Sequence, residues 1–141
     1  MKESFTIEDL AKFYSETGIA SDLGCDESES GEWISFCEDK YPSKGVCTVK
    51  NWAIVECQCN EIEKEQLRSK GLLPAVLHSN YVVWDSRGRW RTGSFACTFF
   101  LVAIEENCLF ITDNTCYILL GAGHRKSIST PMLVSIMKGL S

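Results

Sequence analysis

The chain lacks most of what would declare a chemistry. Its 141 residues hold only two histidines and three prolines. No Cys-x-x-Cys occurs, so the common zinc ribbons and redox motifs have no foothold. No Gly-x-x-x-x-Gly-Lys-Ser/Thr run is present, which excludes a P-loop. The longest apolar run, Phe99 to Ile104, is six residues, far short of a bilayer span. Met1-Lys2-Glu3-Ser4-Phe5 is followed by no apolar stretch, so no secretory signal is read. These absences place the chain in the cytoplasm, without a membrane partner.

What remains fits one globular domain. The apolar fraction of 45% argues against disorder, and the length suffices for a core without staples. Eight cysteines stand at 25, 37, 47, 57, 59, 97, 108 and 116. Most lie in apolar stretches such as Thr115-Cys116-Tyr117-Ile118. In a reducing compartment they read as small buried hydrophobes kept as thiols.

The net charge of −5 conceals a split. Residues 1–39 carry eleven acids against two bases, residues 40–66 four of each, and residues 67–141 eight bases against four acids. Two faces of different potential are expected, and potential selects partners rather than fold.

Along the chain, Thr6 and Asp9 form a capping box for a helix whose stripe is Ile7, Leu10, Phe13 and Tyr14, with Gly18 as terminator. Residues 22–32 are acidic, small and aperiodic, and read as a loop. Trp33 to Cys37 is an apolar island within it, a short helix or strand. Val46–Cys59 reads as a long strand. Asn60 caps a short helix closed by Gly71. Leu72–Trp84 returns as a strand interrupted near His78-Ser79-Asn80. Phe95–Ile104, Cys108–Thr112 and Thr115–Leu120 form an antiparallel meander through two tight turns. Thr130 caps a closing helix with Pro131 in its first position. The fold class is therefore α+β: one domain over 1–141 with a mostly antiparallel sheet. Residues 1–45 form its acidic helix-plus-loop region and 46–141 its sheet-rich core.

Three segments, Ser86 to Trp90, Glu106 to Phe110 and Asn114 to Lys126, resemble a domain-of-unknown-function family of small proteobacterial and prophage proteins. The resemblance covers about the second half of the chain. Such proteins often have proline between the two glycines, where this chain has Ala122. The resemblance carries no catalytic residues over. It implies a bacterial, accessory, phage-borne setting.

Five constellations are candidates. Gly121, Gly123, His124, Arg125 and Lys126 follow a strand and precede the closing helix, a setting for an anion. Trp84, Arg87, Arg89, Trp90 and Arg91 combine guanidinium and indole, suited to phosphate and base stacking or to a protein hot spot. Asp26, Glu27, Glu29 and Glu32 with Trp33 form an acidic, aromatic partner-facing loop. Cys57 and Cys59 put two sulfurs on one strand face, where His78, Cys47 or Cys37 would have to complete a metal site; the spacing matches no common finger, and no metal is expected. Cys97 or Cys116 with His124 is the remaining nucleophilic pairing, and both cysteines sit in strand-like runs that favour burial.

No catalytic set and no cofactor emerge. The leading expectation is a non-enzymatic macromolecule-binding protein with a protein partner, an inhibitor or accessory regulator of a host or defence complex. The alternative is a nucleic-acid or nucleotide-phosphate module using residues 87–91 and 121–126.

Overall fold

The computed structural model describes residues 6–16 and 18–139. It is a mixed α+β structure built on a curled open sheet, with four α-helices among the described residues. The elements run α1 (Ile7–Ser15), β1 (Ile19–Ala20), α2 (Ser30–Lys40), β2 (Gly45–Gln58), α3 (Glu61–Ser69), β3 (Ala75–Asp85), β4 (Ala96–Cys97), β5 (Ala103–Glu105), β6 (Leu109–Ile111), β7 (Thr115–Leu119), β8 (His124–Ser129) and α4 (Thr130–Gly139).

β2 is the spine. It pairs antiparallel with β3 along most of its length. On its other edge it pairs parallel with β7 over residues 45–49 and parallel with β8 over 53–58. The sheet is therefore mixed: five of the pairings among the described residues are antiparallel, and the two parallel ones share one edge of β2. The parallel partner arrives only after α3 and four further strands, the long crossover that parallel pairing requires. The expected meander is present as β5-β6-β7, antiparallel throughout. Its first turn places both Glu106 and Asn107 at positive φ (52° and 57°), the conformation of a type I′ hairpin turn.

The strand expected at Phe95–Ile104 is broken into two short pieces. Its first half bonds to β3, with Thr98 N–H donating to Leu77 O and Leu101 N–H to Ala75 O. Its second half turns to β6, beginning with Val102 N–H to Ile111 O. One segment thus serves both ends of the curl and cannot stay straight. Phe99 and Val102 consequently point to solvent, not into a buried strand.

Three apolar clusters follow from the alternation of strand side chains. Val49, Trp52, Leu77, Phe110 and Tyr117 fill the inside of the curl. Cys37, Val46, Cys108, Leu109 and Cys116 lie between α2 and the outer face. Phe13, Val55, Cys57, Val76, Ile128 and Leu133 form the third, under α1 and α4. Val49 and Trp52 both face inward although three residues apart. Asn51 between them has φ of 49°, and this left-handed step lets β2 change faces where it changes partner.

Several local expectations are corrected. Residues 27–32 are not a loop: Asp26 and Glu29 form a reciprocal capping box, a 3-10 turn follows, and α2 runs on from it, so the Trp33–Cys37 island is helix, one of its two expected forms. Trp33, Phe36 and Cys37 recur at helical spacing and dock α2 on the sheet, which the acidic composition concealed. β3 is continuous through His78-Ser79-Asn80, because Ser79 Oγ bonds Lys50 O (2.7 Å) and accepts from Tyr81 N–H (3.0 Å). In α1 the Thr6–Asp9 capping box forms, yet only Phe13 of the expected stripe is seen to bury: Ile7 and Tyr14 are exposed, and the Leu10 side chain and Thr17 lie outside what is described. The helix ends at Ser15 with Glu16 as its cap, ahead of Gly18. Ser129 Oγ, not Thr130, receives the Met132 N–H at the start of α4 (3.4 Å). Among the described residues no helix is long and apolar enough to cross a membrane.

Candidate functional site

The Trp84–Arg91 segment is organised by one buried carboxylate. Asp85 Oδ2 accepts from Arg89 N–H (2.7 Å) and Trp90 N–H (3.2 Å), and Oδ1 accepts from Arg87 N–H (3.4 Å) and Arg89 Nη2 (3.3 Å). Burial alone would raise its pKa, but the bonds from Arg89 and Trp90 outweigh it and hold the carboxyl below its ordinary value. Arg89 stacks over Trp90 (4.9 Å), and Trp90 is half-buried against Tyr117 (6.1 Å). Arg87 Nη2 donates to Ser43 O (2.6 Å). Two of the three arginines and one of the two tryptophans therefore hold the turn itself. Arg91 is exposed.

Trp84 is different. A bulge in β3 puts Val82 opposite Val49 but Trp84 opposite Thr48. Tyr81 lies opposite Lys50, two residues from Thr48, so Tyr81 and Trp84 share one outer face despite being three apart. They remain 38% and 41% exposed. Lys50 Nζ sits over the Tyr81 ring (5.4 Å) and pairs with Glu27 (3.1 Å). The acidic segment and the aromatic strand, far apart in sequence, thus meet at Lys50. Asp26, Glu29 and Glu32 are exposed on the same 3-10 turn and first turn of α2. Bonds from Ser28 to the Asp26 carboxylate hold its pKa low, keeping it charged. Trp33 does not face outward with them: it stacks edge-on against Phe36 (5.3 Å) and packs towards the sheet.

The Gly121–Lys126 segment does not lead into a helix. β7 and β8 are two halves of one strand parallel to β2, and residues 120–123 lie opposite only 50–52, a bulge of one extra residue. That bulge makes room for Trp52. A Cβ on Gly123 would overlap the indole, while Trp52 Nε1 donates to Leu120 O (3.2 Å) and Gly121 N–H to Cys25 O (2.7 Å). The glycines are accounted for by packing. Arg125 pairs with Glu56 (3.2 Å), and Lys126 donates to Phe13 O (2.9 Å) beneath α1. Arg125 and Lys126 line a cavity of about 270 Å³ together with Glu16 and Glu56.

The two basic segments do not converge. Asp85 stands opposite Cys47 and Arg125 opposite Ile54, which separates them by about 20 Å along β2. Cys97, His78, Ala53 and His124 form one row across the sheet. Cys97 and His124 are therefore three strand spacings apart, about 14 Å, and are not a hydrogen-bonded pair. The histidine beside Cys97 is His78, whose buried Nε2 has no hydrogen-bond partner among the described residues. Burial pushes the Cys97 thiol up to about 11, and Cys116 is fully buried. Among the described residues no group of three or more His, Cys, Asp and Glu is placed to hold a metal ion. The Cys59 thiol reaches Cys57 O (3.5 Å), but His78 keeps to its own apolar surroundings between Phe13 and Phe95.

One surface had no sequence signal. A groove of about 630 Å³ runs between Lys70-Gly71-Leu72 and the broken segment at Phe99 and Val102. It exists because the segment serving both sheet ends turns its apolar side chains outward.

A family model described as a domain of unknown function (DUF6957) matches residues 22–135. No curated protein and no solved structure matches the chain.

Proposed function

Since the chain belongs to the DUF6957 family, whose description assigns no activity, we propose from the geometry that it is a non-enzymatic protein-binding domain. Its docking face is the Tyr81–Trp84 strip bordered by Asp26, Glu27, Glu29 and Glu32. The observation that carries this reading is the exposure of two aromatics on one face of a strand locked by the Asp85 turn. Rigid aromatics present large contact area at small entropic cost, and such residues dominate interface energies. The acidic border steers a partner with a basic surface and leaves the energy to the aromatics. The resemblance to proteobacterial and prophage proteins supports a finer statement: the partner is a host or defence complex that this domain inhibits or modulates.

A nucleic-acid role has less support. Arg87, Arg89, Arg125 and Lys126 are occupied by Ser43, Asp85, Glu56 and Phe13 respectively. The acidic border would also repel phosphate next to the exposed tryptophan.

Capture from bacterial lysate tests the proposal. Tagged wild-type chain should retain a stoichiometric protein partner, and Trp84→Ala with Tyr81→Ala should lose it while still unfolding as a cooperative folded chain. Retention by the double variant, or salt-sensitive capture of nucleic acid in place of protein, overturns it.

A further inference from the structure

β2 ends in a dithiol. Cys59 N–H donates to Cys57 O (3.1 Å), closing a γ-turn around Gln58. In an extended strand these Cα atoms would stand about 6.6 Å apart, at the limit for a disulfide; the γ-turn draws them closer. The Cys59 thiol donates to the same carbonyl, Cys57 O (3.5 Å), which holds its sulfur over the end of the strand. Cys57 is buried and Cys59 half-buried, and both line an opening of about 200 Å³ with Glu63, Lys70, Phe100 and Thr130. Thr130 Oγ1 contacts Cys57 Sγ (3.5 Å) and donates to Glu63 Oε1 (3.3 Å), a polar chain from the inner sulfur to a carboxylate. Burial pushes the Cys57 thiol up.

We propose that Cys57 and Cys59 form a reversible redox dithiol that exchanges with low-molecular-weight disulfides of the glutathione class. Cys59, open to the pocket, reacts as its thiolate with one sulfur of the disulfide. The S–S bond of the small molecule breaks, a mixed disulfide forms on Cys59, and one small thiolate leaves. Cys57, relieved of its proton along the Thr130–Glu63 chain, then attacks the Cys59 sulfur and expels the second small thiolate. Two protein thiols are oxidised, one small disulfide is reduced, and the two protons end on the two released thiols. Lys70 stands at the pocket to receive a carboxylate of an anionic thiol such as glutathione. This site is independent of the protein-binding face.

The folded chain should be incubated with oxidised glutathione, alkylated, and mapped by mass spectrometry. Cys57 and Cys59 should lose alkylation together and be recovered in one linked peptide, restored by reduction. Cys57→Ser should stop the sequence halfway, leaving one glutathione on Cys59, and Cys59→Ser should take up none. The wild-type map requires no variant to fold. Linkage at Cys25, Cys37, Cys108 or Cys116 without linkage of Cys57 to Cys59, or full alkylation of both after oxidation, overturns the proposal. So does a folded Cys57→Ser or Cys57→Ala chain that traps no adduct.

Discussion

Gly123 lies against the face of the Trp52 indole, so closely that a Cβ at Gly123 would overlap the ring. The relationship explains the bulge between β7 and β8, because only a glycine lets the backbone pass a buried tryptophan that bonds Leu120 O. Gly123→Ala should cost about 1–3 kcal/mol or more, the usual range for overpacking a tight core. Urea unfolding measures it. Adding Trp52→Leu should cost less in the Gly123→Ala background than in the wild type, since the overlap disappears; strict additivity would show that the two do not share a site.

Asp85 organises the turn after β3, and its charge matters more than its shape. Asp85→Asn keeps the size but replaces an acceptor-only group by one with a donor NH₂, against Arg89 and Trp90 donors. Loss of about 1–3 kcal/mol is expected. The carboxyl is held below its ordinary value, so its contribution is present above about pH 4 and lost as pH falls through the lower folded value. In the asparagine variant the loss of stability below pH 4 should be correspondingly shallower.

How much of this was legible depends on the range of the interaction. The Thr6–Asp9 and Asn60–Glu63 caps, the long β2 strand and the Asp113-Asn114 and Glu106-Asn107 turns are set by neighbours, and the sequence displays them. β8 was hidden because its strand character comes from β2, some seventy positions earlier: its burial alternates, but Ile128 is the one apolar residue of His124–Ser129, so residue type does not display the period. The start and length of α2 were hidden by acidic composition around the Trp33–Cys37 island, although Asp26 and Glu29 are the sequence signature of a capped turn. For the candidate site, the Trp84 region could be named but not resolved. Which tryptophan is exposed depends on the β3 bulge, and the junction of Glu27, Lys50 and Tyr81 depends on tertiary pairing.

The Glu27–Lys50–Tyr81 junction gives a test that separates the border from the anchors. Trp84→Ala should leave the chain folded at a cost of about 1–2 kcal/mol, because 41% of the residue is exposed and the remainder is packed. Glu27→Lys should be mild in stability. Its effect on a captured basic partner should fall on the association rate and its salt dependence, whereas Trp84→Ala should raise the dissociation rate. Surface plasmon resonance at two salt concentrations distinguishes them; equal effects of both variants on dissociation would contradict the division of roles.

His78 supplies the last prediction, and its sign is opposite to that of a paired histidine. The ring is wedged edge-on between Phe13 (5.9 Å) and Phe95 (5.7 Å), and its buried Nε2 has no hydrogen-bond partner among the described residues. Burial, with Lys126 nearby, lowers its pKa from 6.5 to about 4. The folded chain therefore keeps the ring neutral where the unfolded chain protonates it. Stability from this group is complete above pH 6.5, falls as pH drops from 6.5 to about 4, and is constant below that. The gap between the two values corresponds to about 3 kcal/mol. Asp26, Asp85 and Glu105 are held below the ordinary carboxylate range and titrate at the lower end of that window or beneath it, so the decline nearer neutrality is expected to belong mainly to His78. His78→Phe removes the orphaned nitrogen while preserving the contacts with Phe13 and Phe95. Urea midpoints measured from pH 7 to pH 4 should fall for the wild type and stay nearly flat for the variant. Parallel curves would mean that the imidazole is not buried as a neutral ring under α1.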